Sequence, residues 1–207
     1  LALRLAIQAT DDDHFATWLQ PRAANNCCFR SADAPRAREY YAGKAWTSDT
    51  VTLYTDALEA ARKAVALAPG ELDPALVLVD ALLLAKQNRE AAQLLADLRT
   101  RYSRSAEVYS CSAFCAKEAG DSSQAIEFAD KALALRPRDP VDWAIRGWSC
   151  FMLGRFEEAV SNSSRSLGID RTNLLARSVL ARSQLRLHRF SEAAAEAEKL
   201  LRDSEFR

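Results

Sequence analysis

At 207 residues the chain is long enough to bury roughly 70% of its unfolded surface in a core without disulfide or metal staples. Its 28 basic and 28 acidic residues cancel. That excludes the overall basic excess with which nucleic-acid binders displace counterions, and the longest strongly apolar run, residues 75–85, is interrupted by Asp80 and falls short of the roughly 20 residues of a membrane span.

Residues 1–37 form an N-terminal extension. Leu1, Leu3, Leu5 and Ile7 alternate, yet the Ala, Arg and Gln around them suit a short helix better than a strand. Asp11, Asp12 and Asp13 then precede His14 to Leu19, as acidic residues do where they favour the positive end of a helix dipole, and Pro21 ends that element. Pro21, Asn25, Asn26, Ser31 and Pro35 mark an irregular connector. A chain that begins with Leu1 rather than Met is expected to be a fragment or a processed product.

From Arg38 the pattern changes to a fixed period. Repeats start at Arg38, Leu72, Ala106, Pro140 and Leu174, each 34 residues after the last, and together they occupy residues 38–207. Position 20 is Ala57, Ala91, Ala125, Ala159 and Ala193, the small residue that lets two helices approach closely. Position 8 is Ala45, Val79, Ala113, Gly147 and Ala181, and positions 24 and 27 fall on the same helical face as position 20. The fourth repeat, with Trp143, Gly147 and the turn Gly154 to Phe156, shows the helix–turn–helix order most clearly. In the first repeat Thr47, Thr50, Val51 and Thr52 are poor helix formers, so its first helix is expected to break near Ser48.

These columns resemble the tetratricopeptide repeat, a helical hairpin with an aromatic at position 4, small residues at 8 and 20, and Pro at 32. The resemblance covers residues 38–207; position 4 here is Tyr41, Ala75, Tyr109, Trp143 and Arg177, and position 32 is Pro only at Pro69 and Pro137. It implies an all-α fold, an α-α superhelix of about five hairpins behind the short N-terminal helical extension. It also implies that positions 2, 5, 6, 9, 12 and 13 of the first helices line an inner groove, one helical stripe. Those positions hold Leu76, Val77, Asp80, Leu83, Leu84, Phe114, Ile145, Trp148, Phe151, Met152, Val179, Arg182, Leu185 and Arg186. The groove so defined is predominantly apolar, the kind of patch that a soluble monomer rarely leaves uncovered. Glu39, Asp49, Asp73, Asp80, Glu107 and Glu118 gather toward its first end, with Lys117 among them, and Arg182 and Arg186 lie at its last.

The resemblance therefore implies a non-catalytic adaptor or scaffold whose partner is another protein, bound through an apolar or amphipathic segment with a basic portion near the first repeats. Two alternatives stay open beside it: a chaperone-like assembly factor, and a structural subunit of a large complex, organellar or ribonucleoprotein included. Some of the groove residues instead pack within the array, or residues 1–19 occupy the groove in cis, anchored by Phe15, Trp18 and Leu19. The carboxylate clamp with which some relatives hold chaperone tails needs Lys, Asn and Arg; starting from the second repeat its positions hold Leu76, Asp80, Cys111, Val141 and Ile145, and no register supplies it.

No constellation for catalysis, metal or cofactor emerges, and neither a small-molecule substrate nor membrane insertion is expected. Cys111 and Cys115 share a helix side and Cys27–Cys28 are vicinal, but the five cysteines have no disulfide-framework spacing and are expected to be reduced. This points to a reducing intracellular compartment, the cytoplasm before an organelle. His188 falls at a turn, where it is expected to close a helix C-terminus. The chain stops at Arg207 without an added capping helix, so the last helix is expected either to cap itself or to meet another subunit, unless a fragment boundary falls there.

Overall fold

The computed structural model describes residues 48–205, with side chains from 58 to 200. The N-terminal extension and its expected occupation of the groove lie outside the described residues. Within them every regular element is an α-helix: α1 (Ser48–Leu67), α2 (Leu72–Leu84), α3 (Asn88–Arg101), α4 (Ala106–Glu118), α5 (Ser122–Leu135), α6 (Pro140–Met152), α7 (Phe156–Ile169), α8 (Leu174–Arg186) and α9 (Phe190–Glu205). The chain divides between Ser103 and Arg104 into two compact units.

In the first unit α2 packs against both α1 and α3. Leu58, Ala61 and Ala64 of α1, Leu76, Val79 and Leu82 of α2, and Ala91, Leu95 and Leu98 of α3 are all buried. The last three are spaced four and three apart, so one stripe of α3 supplies its whole buried face. Arg62 also donates to both carboxylate oxygens of Glu90, at 3.0 and 3.1 Å. Both side chains are half exposed, so the pair adds little to the apolar contact.

The turns within the hairpins share one geometry, set by one residue. Position 15 is Lys86, Gly120, Gly154 and His188 in the four later repeats, and each has positive φ: 59°, 81°, 76° and 60°. Each donates its N–H to the carbonyl three residues back, and the next residue donates to the carbonyl five back; His188 bonds Leu185 at 3.1 Å and Arg189 bonds Gln184 at 2.9 Å. This double bond pattern satisfies carbonyls that a helix end leaves orphaned. His188 thus closes its helix as expected, through its backbone.

The first repeat departs from this pattern. Its position 15 is Thr52, and a β-branched residue is strongly disfavoured in the left-handed region. Thr52 is accordingly helical, within a helix that runs from Ser48 to Leu67 without a turn; the residues before Ser48, and with them the expected break, lie outside the described residues. The weak helix propensity of Thr and Val costs a few tenths of a kcal/mol each, less than forcing Thr52 to positive φ.

In the second unit each hairpin's second helix packs on the first helix of the next: α5 on α6 and α7 on α8. The first helices α4, α6 and α8 also touch in sequence and form one layer. Their starts are fixed by side-chain caps. Ser105 accepts from the Val108 N–H, Asp139 from Val141 and Asn173 from Ala176, and Pro140 supplies a preset φ at the head of α6. Ala125 and Ala159 are fully enclosed, and Ala193 is buried, as the alanine column requires. Trp143 is structural, its indole N–H donating to the Pro137 carbonyl at 2.9 Å.

Candidate functional site

The candidate site lies on the layer formed by α4, α6 and α8 of the second unit. Trp148 and Phe151, three apart on α6, have ring centroids 6.3 Å apart, and Phe151 meets Phe156 at 5.7 Å with the rings tilted. The positive-φ turn at Gly154 brings Phe156, the first residue of α7, back against the end of α6. The three rings form a continuous half-buried ladder, and two of them, Trp148 and Phe151, pack on Cys150, Ala159 and Val179.

Cations cover this ladder. The Lys117 ammonium sits 4.9 Å from the Phe114 ring centroid and 5.9 Å from that of Trp148. Arg182 Cζ lies 5.2 Å from the Trp148 ring and 4.7 Å from Phe151, and Arg186 Cζ lies 4.9 Å from Phe156. Each ring presents its negative face to a positive group, worth about 0.5–1 kcal/mol at an exposed position. Lys117 is also paired with Glu118. Among the described residues no carboxylate pairs with Arg182 or Arg186.

The expected groove residues separate into two sets. Leu76 and Leu83 in the first unit, and Ile145 and Val179 in the second, are buried in the core and line no accessible surface. The physical reason is visible at Ile145 and Val179, both at position 6. Ile145 packs into the preceding hairpin against Ala113, Ala116, Ala125 and Ala129, and Val179 against Cys150 and Ala159. One edge of the stripe is thus the seam between hairpins. Phe114, Trp148 and Phe151 are half-buried, whereas Met152 (55%), Leu185 (54%), Arg182 and Arg186 are exposed. In the first unit Val77, Asp80 and Leu84 are half-buried on α2.

Phe156 is absent from the expected set, because it follows the turn and so falls off any stripe drawn on the first helix alone. Its counterpart Phe190, also at position 17, is 61% exposed and meets His188 edge-on at 5.7 Å. The recurrence of Phe at position 17 in the last two repeats is the available signal.

The thiols offer no reactive group here. Burial pushes the Cys150 thiol up, opposite to the lowered pKa of a nucleophile, and Asn162 donates to its sulfur at 3.7 Å. Cys115 is likewise buried. Cys111 is disulfide-bonded, which corrects the expectation of five reduced cysteines and rules out a Cys111–Cys115 metal pair. No helix among the described residues is long and apolar enough to cross a membrane.

With the geometry in hand, comparison with solved structures places the fold. A thermophilic TPR protein of Thermus thermophilus superposes with a TM-score of 0.64 at 22% identity, over 75% of this chain and 88% of that one. The chain has the fold of a tetratricopeptide-repeat array. A MamA structure matches the array with a TM-score of 0.63 at 18% identity, over 73% of this chain and 89% of that one. MamA from Desulfovibrio magneticus, residue 41 to the end, gives 0.64 at 12% identity over 77% and 98%. Residues 118–200 of the array also match the family model described as anaphase-promoting complex, cyclosome, subunit 3. No curated protein sequence matches the chain.

Proposed function

We propose that this array is a non-catalytic scaffold that holds an apolar or amphipathic segment of another protein against the α4–α6–α8 layer. What supports this reading is the exposure of Met152 and Leu185 beside a half-buried aromatic ladder on one face. Apolar surface of that kind is stabilised by a partner that removes it from water, about 25 cal/mol per Å² covered. Val77, Asp80 and Leu84 of the first unit are the further contacts proposed for the same kind of ligand. The test is affinity capture of a stoichiometric partner with the native chain and with the Trp148→Ala/Phe151→Ala variant. Loss of the partner from a variant that keeps its helical circular dichroism supports the scaffold; unchanged affinity sinks it.

A second reading, a structural subunit of a large complex, draws on the family description matched over residues 118–200, which names a subunit of a multi-subunit assembly. Sedimentation of the captured assembly separates the two. A permanent complex of fixed stoichiometry favours the subunit, and a partner that exchanges on dilution favours the adaptor or a chaperone-like factor.

A further inference from the structure

We infer that Arg182 and Arg186 form a clamp for carboxylates, so that the segment bound on the α4–α6–α8 layer is acidic as well as apolar. The inference rests on the scaffold reading above and names the chemistry of its partner. Both arginines stand on α8 one turn apart and are exposed. Each carries its guanidinium carbon over an aromatic ring, Arg182 over Trp148 and Phe151, Arg186 over Phe156. A guanidinium held against a ring has one flat face occupied, while its in-plane N–H groups remain open to a carboxylate fork.

The charge around the pair points the same way. Helix α8 contains Arg177, Arg182 and Arg186 and no acidic residue, and His188 and Arg189 follow before the first acid at Glu192. Arg177 is neutralised by Glu196 at 3.1 Å. Arg182 and Arg186 have no such partner among the described residues, and like charges one turn apart repel by a few tenths of a kcal/mol. An anionic partner relieves that repulsion and gains charge-assisted hydrogen bonds that the free chain lacks.

Carboxylates fit better than phosphate. A phosphate dianion draws two arginines to one point, whereas separate rings hold Arg182 and Arg186 apart, matching two single charges one turn apart on a partner helix. A nucleic acid would satisfy the arginines but leave Met152 and Leu185 hydrated. An acidic amphipathic segment covers both.

The test uses the native chain and arrays of amphipathic peptides of about 12 residues with Leu and Phe at i and i+4. Four series carry Glu, Gln, Lys or phosphoserine between the anchors, and binding is read at low and high salt. The Glu series is expected to bind about tenfold tighter than the Gln series, with the difference shrinking in salt. Arg182→Gln/Arg186→Gln should bring the Glu-to-Gln ratio close to one, each series being read against the variant's own Gln-series affinity. Arg182→Lys/Arg186→Lys should keep part of it, since charge survives and the planar fork does not. Equal binding of the Glu and Gln series to the native chain overturns the clamp and leaves the scaffold standing. Binding of no series overturns both. Tighter binding of the phosphoserine series, or of a DNA oligonucleotide, overturns the choice of carboxylate.

Discussion

A Cβ placed on Gly147 would lie 2.8 Å from the Ser163 hydroxyl oxygen, closer than relaxed side chains approach. The preceding hairpin carries Ala113 and Ala129 at the same two positions, both fully buried. In the fourth repeat the small residue and the hydroxyl therefore depend on each other. Ser163 Oγ is also buried without a hydrogen-bond partner among the described residues, which is a standing cost. Gly147→Ala alone should destabilise by about 1–3 kcal/mol through overpacking. Ser163→Ala should be neutral or stabilising, and the double variant should recover most of the loss. Urea denaturation of the four proteins gives the coupling; additive values would contradict this packing.

Asp142 is fully enclosed and accepts from the Ser110 hydroxyl at 2.7 Å, while its other oxygen has no partner among the described residues. Burial first, then the neighbouring Asp139, lifts its carboxyl from 3.8 to about 7; the Ser110 bond and Arg136 oppose them and Glu107 adds to the rise. Between these two values the folded chain keeps a proton that the unfolded chain has released. Stability should thus fall as pH rises from about 4 to about 7, then level off. Asp142→Asn removes the charged form and should flatten that part of the profile, raising stability at pH 8 relative to the native chain. Thermal unfolding from pH 4 to pH 8 checks this. Parallel profiles for the two proteins would mean that the proton is not held at Asp142.

At position 15 the four later hairpins use the same backbone state with different residues. A Cβ added at Gly120 or Gly154 meets nothing within 4 Å, so any penalty there comes from the backbone alone. Gly120→Ala and Gly154→Ala should each cost about 1 kcal/mol. Lys86→Gly, at φ 59°, should move the other way by a similar or smaller amount, because glycine relieves the strain but costs unfolded-state entropy. Chemical denaturation of the three single variants reads both signs.

Much of this fold was legible because the repeat measures the same quantity several times. Ala91, Ala125 and Ala159 each report a close helix approach, and each is buried. What escaped was the extent of cover. A stripe on one helix shows that Ile145, Trp148 and Val179 share a face, but not that the preceding hairpin closes over Ile145 and Val179 while leaving Trp148 half open. Nor does a one-helix stripe register Phe156, which only the turn brings to the ladder. Along the chain the cations form a gradient of charge; the structure lays them on the aromatic rings, which is a pairing in space rather than in sequence. The absence of a turn at position 15 of the first repeat follows from a single residue type, since Thr52 resists the conformation that glycine accepts in two of the later repeats.

The last hairpin is held by polar contacts as well as by apolar ones. Ala193 is buried, but Arg177 reaches Glu196 at 3.1 Å and the Arg171 carbonyl, and Gln184 donates to Glu192 at 3.1 Å. Both partners of the Arg177–Glu196 pair are largely enclosed, so removing one leaves the other charge poorly solvated. Because repeats couple mainly to their neighbours, the consequence should stay local. Arg177→Ala is expected to lower amide-exchange protection of α9 by about tenfold or more while leaving α4 and α5 unchanged. Hydrogen-exchange mass spectrometry resolves this by segment. A uniform loss across the second unit would show that α9 unfolds only with the whole unit.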